Sequence, residues 1–148
     1  MEQKLALPER VLMQIEKPAR YIGNEVNMVR KNLSEVDVRI AMCFPDVYEI
    51  GMSYLGIQIL YDMFNRRKDV YCERVYSPWP DLDAIMRKEQ IPLFSLETQT
   101  AISEFDWLAI TIQYEMCYTN ILQVIDLSGI PLLAKERTKE HPIVIGGG

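Results

Sequence analysis

The stretch "VRIAMCFPDVYEIGMSYLGIQILYDMFNRR", residues 38–67, changes its period halfway along. Residues 38–44 are a β-branched and apolar run that reads as a strand. From Leu55 onward the apolar positions Leu55, Ile59, Leu60, Met63 and Phe64 recur at three- and four-residue spacing, the pattern of one buried helix face. Between them lies Asp46-Val47-Tyr48-Glu49-Ile50-Gly51-Met52-Ser53, a polar turn with two carboxylates, a tyrosine and a glycine. Ser53 stands where a side-chain oxygen can cap the helix that follows. A strand, a chemically rich turn and a helix form the first half of a strand–helix–strand unit.

The same alternation continues to the last residue. "VYCERVY" (70–76) reads as a second strand, stopped by Pro78 and Pro80. Residues 81–90 give a short helix with Leu82, Ile85 and Met86 on one face, and "IPLFSLE" (91–97) reads as either a short edge strand or an extended connection. "FDWLAITIQ" (105–113) is nearly continuous in apolar residues, which suits a parallel strand covered on both faces. A helix over 118–128 carries the stripe Tyr118, Ile121, Leu122 and Ile125, with Gly129 at its C-cap and Pro131 beyond. "AKERTKEH" (134–141) is a solvated connection, and "PIVIGGG" (142–148) is a final strand. The expectation is an α/β, Rossmann-like open parallel sheet of four to five strands, in the flavodoxin-like order 2-1-3-4, with helices on both faces. Residues 1–37 form an N-terminal helix ("PERVLMQIEK") and an irregular arm, and residues 38–148 the sheet domain.

Composition narrows the function classes. The 148 residues are one domain's worth, 49% hydrophobic and 25% charged, with a net charge of −5 and no basic stripe, so no nucleic-acid surface is evident. No apolar run is long enough to cross a membrane and the N-terminus has no signal-peptide core, which gives a cytoplasmic expectation. Cys43, Cys72 and Cys117 are 29 and 45 residues apart, so they make neither a CxxC clip nor a disulfide framework and read as buried free thiols. The one histidine, His141, lies in the charged connection, which leaves no His-based triad and no histidine-rich metal site. Neither a P-loop nor a GxGxxG turn is present, and no catalytic or metal-ligating residue is assigned.

In open parallel sheets ligands bind beyond the carboxyl ends of the strands, at the switch point of strand order. Three segments fall on that rim: the turn after strand 1, "QYEMCYTN" (113–120) after strand 3, and the glycines after strand 4. The candidate binding residues are therefore Asp46, Tyr48, Glu49, Gly51, Ser53, Gln113, Tyr114, Glu115, Thr119, Asn120, Gly146 and Gly147. Each has a plainer reading beside it. Gly51 either supplies a permissive backbone or lets a ligand reach the next helix N-terminus, the polar loop side chains are either solvated or ligand-facing, and the glycines are either a tail or a close-approach surface.

The wording of the loops goes further. "EKPARYIGNEVN", "FPDVYEIGMSYLGIQILYDMFNRR", "VYCERVYSPWPD", "PLFSLET" and "QYEMCYTNILQVIDLSGIPL" together resemble the N-terminal region of an uncharacterised bacterial family of radical S-adenosylmethionine (SAM) proteins that begin with a cobalamin-binding-like domain. The likeness runs from about residue 16 to residue 147. It implies a cofactor- or substrate-holding module whose partner is a downstream radical SAM domain, with a CxxxCxxC motif holding a 4Fe-4S cluster and binding S-adenosylmethionine in that domain only. Domains that hold cobalamin through a lower axial histidine carry DxHxxG, whereas Asp46-Val47-Tyr48-Glu49-Ile50-Gly51 keeps the aspartate and glycine but has Tyr48 at the histidine's place. The cobalamin expectation is thus for binding without a histidine ligand. The alternatives are a structural or protein-interaction module that has lost the cofactor, with residues 16–30 and the Trp79 loop as docking elements, or an independent flavin or nucleotide binder. The likeness also marks the chain as a fragment cut before its radical domain, marginally stable or self-associating through an uncovered sheet edge at Ile143, Val144 and Ile145.

Overall fold

The β-branched and apolar runs pair as the alternation requires. In the structure, a computed structural model that describes residues 5–148, strands β1 (Val38–Phe44), β2 (Val70–Tyr76), β3 (Trp107–Thr111) and β4 (Ile143–Gly147) form one parallel sheet in the order β2-β1-β3-β4. Val38 lies opposite Val70, Ile40 opposite Trp107, and Trp107 opposite Ile143. Successive side chains of a strand point to opposite faces. Ala41 and Cys43 accordingly join one apolar cluster with Val75, Leu108 and Ile110, while Ile40, Met42 and Phe44 join a second with Cys72 and Ala109. This is the doubly wound α/β fold expected from the sequence.

The helices divide between those two clusters. Helix α1 (Glu9–Leu12), α4 (Pro80–Glu89) and α5 (Tyr118–Leu127) send Val11, Leu82, Met86, Val124 and Ile125 into the first cluster. Helix α3 (Leu55–Asn65), preceded by the single turn α2 (Tyr48–Gly51), sends Ile57 and Tyr61 into the second. Right-handed crossovers demand this split, since β1-to-β2 runs one way across the sheet and the next two connections run the other. Local chemistry sets the ends. Pro80 opens α4 with Asp81 and Asp83 in its first turn and Arg87 and Lys88 in its last, as the helix dipole favours. Gly129, at φ +69°, closes α5. Among the described residues no helix is long and apolar enough to cross a membrane.

Three details differ from the sequence reading. The stripes are one: α3 buries Ile57 and Tyr61 and leaves Leu55, Ile59 and Met63 exposed, and α5 buries Val124, Ile125 and Leu127 and leaves Tyr118 and Leu122 exposed. Ser53 does not cap α3. The helix begins one residue later with Tyr54 at its N-cap, and the Ser53 hydroxyl instead donates back to Ile50 O at 3.0 Å, because α2 uses up the residues between strand and helix. The glycines are no tail either, since Gly146 and Gly147 are strand residues paired with Ile110 and Thr111. The ambiguous segment 91–97 makes a single antiparallel bridge, Phe94 to Ala101, and lies along the outer edge of β2, where Leu96 N donates to Arg74 O.

That outer edge is where the charges are buried. On the α3 side, the Arg74 Nε donates to Glu97 Oε1 at 2.7 Å, its backbone N–H donates to Glu97 Oε2, and its Nη1 lies 2.5 Å from Glu25 of the N-terminal arm. On the other side, Arg39 Nη2 donates to Glu73 Oε1 at 2.7 Å, and the second Glu73 oxygen accepts from the hydroxyls of Ser95 and Thr98. Glu73 and Glu97 are almost wholly removed from water. Burial, opposed by Arg74, pushes the Glu97 carboxyl up to about 7.

Removing one partner of such a pair leaves a stranded charge, so Arg74→Met is expected to cost about 3–5 kcal/mol in denaturant titration. Arg10→Met, at the exposed pair with Glu89, leaves the midpoint nearly unchanged. A carboxyl whose pKa is raised on folding stabilises the protein below its unfolded value and loses that contribution as pH rises through the folded value. The wild-type melting temperature therefore falls between about pH 5 and pH 8 by a step that Glu97→Gln lacks.

Candidate functional site

The switch point lies between β1 and β3, and the loops leaving those two strands clasp each other there. The Tyr114 hydroxyl donates to Asp46 Oδ2 at 2.7 Å, and Tyr54 OH donates to Gln113 Oε1 at 2.6 Å. Asn120 Nδ2 donates to the Pro45 carbonyl at 2.9 Å. The other Asp46 oxygen accepts from the Val47 N–H, which fixes the start of the turn. Hydrogen bonding to Asp46 raises the Tyr114 pKa above that of a free phenol. Beside these paired polar tips the rim exposes several apolar and aromatic side chains, with Glu115 and Thr119 exposed among them. Met116 is 84% exposed, Tyr118 54%, and Met52, Tyr54 and Tyr114 37–40%.

The structure thus brings Asp46, Gln113, Tyr114 and Asn120 together and takes others away. Tyr48 points off the rim. Its hydroxyl donates to Glu25, its ring meets Tyr76 edge-on at 5.4 Å, and burial, with the Glu25 hydrogen bond second, pushes its pKa up to about 12. Glu49 is held by the arm, with Arg20 Nε at 2.9 Å and Lys17 Nζ at 3.4 Å. Gly51 is buried, and a Cβ built there would lie 2.6 Å from Tyr76 Cδ1 and 3.0 Å from Phe44 Cδ1. Ring packing, not ligand approach, is what requires this glycine. Ser53 is occupied by its back-bond, and no side-chain partner of Glu115 or Thr119 is found among the described residues. Gly146 and Gly147 close the rim on the β4 side, where Gly147 O accepts from Ile112 N at 2.7 Å.

Sequence reasoning missed Tyr54, Met52, Met116 and Tyr118. Tyr54 had a legible signal, since the residue before a helix on a ligand-side rim is placed to face a ligand.

Among the described residues no three His, Cys, Asp or Glu side chains could hold a metal ion. Cys43 lies in β1, Cys72 in β2 and Cys117 ahead of α5, all buried, and burial drives the Cys43 and Cys72 thiols well above their ordinary pKa. His141 sits with Val38, Trp107 and Ile143 at the amino ends of the strands, the edge opposite the rim. No histidine is therefore available to a metal bound at the switch point.

A family model described as the N-terminal region of radical SAM proteins matches residues 56–148. No curated protein and no solved structure matches the chain. The matched residues take in α3, all of β2 to β4 and the loop from Gln113 to Asn120, and the chain belongs to that family.

Gly51→Ala is expected to lower stability by about 1–3 kcal/mol through overpacking against Tyr76, read from the denaturation midpoint. In native protein the three thiols react with a disulfide reagent only at the rate of unfolding, and all three react at once in denaturant. Fast native labelling of any one would show a thiol the structure does not present.

Proposed function

We propose that this chain is the cofactor- or substrate-holding N-terminal module of a radical SAM protein, with the rim between β1 and β3 as the place where the ligand rests. The supporting observation is the clasp of Tyr114 on Asp46 and Tyr54 on Gln113 at the switch point, which holds two loops in one fixed shelf. Preorganised loops carry less ordering cost when a ligand lands on them.

The shelf suits a broad, planar and partly apolar molecule. Tyr54, Tyr114 and Tyr118 offer ring faces, Met52 and Met116 offer adaptable thioethers, and Glu115 and Thr119 are placed for polar contacts. Cobalamin held without a protein–cobalt bond is the cofactor of that description. Tyr48 is turned into the Glu25–Arg74 cluster and His141 is at the far edge, so neither serves as its axial ligand. When bound, cobalamin supplies cobalt–carbon chemistry. Tyr54, Tyr114 and Tyr118, with Met52 and Met116, would hold it by stacking and apolar contact. The 4Fe-4S cluster and S-adenosylmethionine belong, on this reading, to the radical SAM domain that partners this module.

One observation favours a second reading. Asp46, Gln113, Tyr114 and Asn120 are spent on partners within the rim, and Met52, Tyr54, Met116 and Tyr118 are exposed beside them, as on a protein-docking patch that no longer takes a cofactor. Titration with hydroxocobalamin, followed by desalting and visible spectroscopy, separates the two. The holding reading expects retained cobalamin that survives Tyr48→Phe and is weakened at least tenfold by Tyr114→Ala. Absence of retention both by this chain and by a whole radical SAM protein that carries it leaves the docking reading.

A further inference from the structure

Two basic stretches that lie apart in the sequence meet at the amino ends of β1 and β2. Arg30 and Lys31 come from the arm ahead of β1, and Arg66, Arg67 and Lys68 from the connection between α3 and β2. Together they line a cleft of about 620 Å3, a volume typical of small-molecule sites. The length of β1, at about 3.3 Å per residue, puts this cleft roughly 20 Å from the rim.

The ion pairs of the cleft do not use up its charge. Arg66 is paired with Asp62 and Arg67 with Asp69. Among the described residues, Arg30 donates only to the neutral Asn24 side chain, and Lys68 has neither an ion pair nor a hydrogen bond. Lys31 donates to the carbonyls of Arg67 and Val70, so neutral oxygens hold its ammonium, and burial lowers its pKa from the usual lysine range. Against these three cations the cleft sets one carboxylate, Glu35. Three against one leaves a surplus of two positive charges, in a chain whose net charge is −5.

Helix-end chemistry accounts for only part of this. Cations beyond the last turn of α3 answer its dipole, but a helix end carries only about half a negative charge. Arg30 comes from another segment and bonds to no carbonyl there. The two Lys31 bonds tie the arm to the α3–β2 connection, so the two walls are held together before any ligand arrives. The surplus matches a phosphate monoester, which carries about −1.5 to −2 at pH 7 and three strong acceptor oxygens. A guanidinium offers such a group two parallel donors, and an ammonium offers a point charge. A nucleic-acid backbone fits less well, because it needs a basic track longer than one cleft and Glu35, Asp62 and Asp69 stand around this one.

We propose that the cleft between Arg30–Lys31 and Arg66–Lys68 is a binding site for a phosphate monoester, with Arg30 and Lys68 as its phosphate contacts. The proposal depends on neither the rim nor cobalamin.

The test is calorimetric titration of the chain with glycerol 2-phosphate, and with glycerol as the uncharged control, at constant ionic strength. Glycerol 2-phosphate binds saturably with a Kd of about 1 mM or tighter. At ten times that Kd it raises the melting temperature by about 3 °C, and glycerol does neither. Arg30 and Lys68 are exposed, so Arg30→Gln and Lys68→Gln melt within about 1 °C of wild type without ligand. Each weakens binding by about fivefold and the pair together by at least about twentyfold. Lys135→Gln, in the exposed connection before β4, leaves binding unchanged. No saturable binding up to about 10 mM, or binding that the double variant retains, overturns the proposal. So does a single-stranded oligonucleotide that binds at least about tenfold more tightly than glycerol 2-phosphate through the same two residues, which would make the cleft part of a nucleic-acid surface.

Discussion

Arg74 is the point at which four separated segments meet. It sits on edge strand β2, grips Glu97 from the segment that lies along that edge, reaches Glu25 of the N-terminal arm, and stacks its guanidinium over Tyr61 of α3 at 5.0 Å. A parallel edge strand exposes a row of backbone donors and acceptors that must be covered. Here the cover is made largely by side chains. Glu97 takes the Arg74 N–H, and Asn65 takes the N–H and carbonyl of Cys72. Burying carboxylates to do this is costly in isolation, and the two guanidiniums of Arg74 and Arg39 make it tolerable.

Fixing the arm in this way decides what the rim is made of. Glu25, anchored by Arg74, accepts the Tyr48 hydroxyl, and Arg20 and Lys17 take Glu49. The two most conspicuous side chains of the β1 turn are thereby drawn toward the arm. Residues from the β3 loop, with Tyr54 and Asp46, form the clasp instead. Residues 16–30 are themselves packed in part against the sheet domain. Tyr21 and Met28 are buried, the Tyr21 hydroxyl accepts from Trp79 N at 3.0 Å, and Arg20 lies over the Trp79 ring. The arm and the Trp79 loop are engaged with each other before any partner arrives.

The strands and their order were legible because each rests on local periodicity plus one handedness rule, and so was the buried face of α4. Residues 105–113 announced a strand covered on both faces, and β3 lies there, whereas the stripe read over residues 55–64 named the wrong face of α3: Leu55, Ile59 and Met63 are exposed and Ile57 and Tyr61 are the buried residues. The arm was not legible, because its contacts span 23 residues from Glu25 to Tyr48 and 78 from Tyr21 to Gln99, and no short pattern encodes a pairing at that distance. Ser53 misled for a smaller reason. A helical turn, α2, fits between strand and helix and shifts the cap by one residue. The rim was half legible. Its location followed from topology, but which side chains face outward depended on which polar tips found partners.

The same accounting bears on the Asp46…Gly51 pattern. Its two matching positions both have structural work in this fold, since Asp46 holds the Val47 N–H and the Tyr114 hydroxyl, and Gly51 makes room for the rings of Tyr76 and Phe44. Neither needs cobalt to explain it. The position that would bind cobalt is Tyr48, and it is tied to the arm by a carboxylate that Arg74 in turn holds in place. A histidine substituted there would inherit Glu25 as its neighbour and face the arm, so restoring the motif's letters would not by itself restore an axial ligand. On the proposed reading, a cobalamin here would be held by shape, stacking and the clasped loops rather than by a protein–cobalt bond. Those features belong to the β1 and β3 loops together, and the six-residue motif contains only half of them.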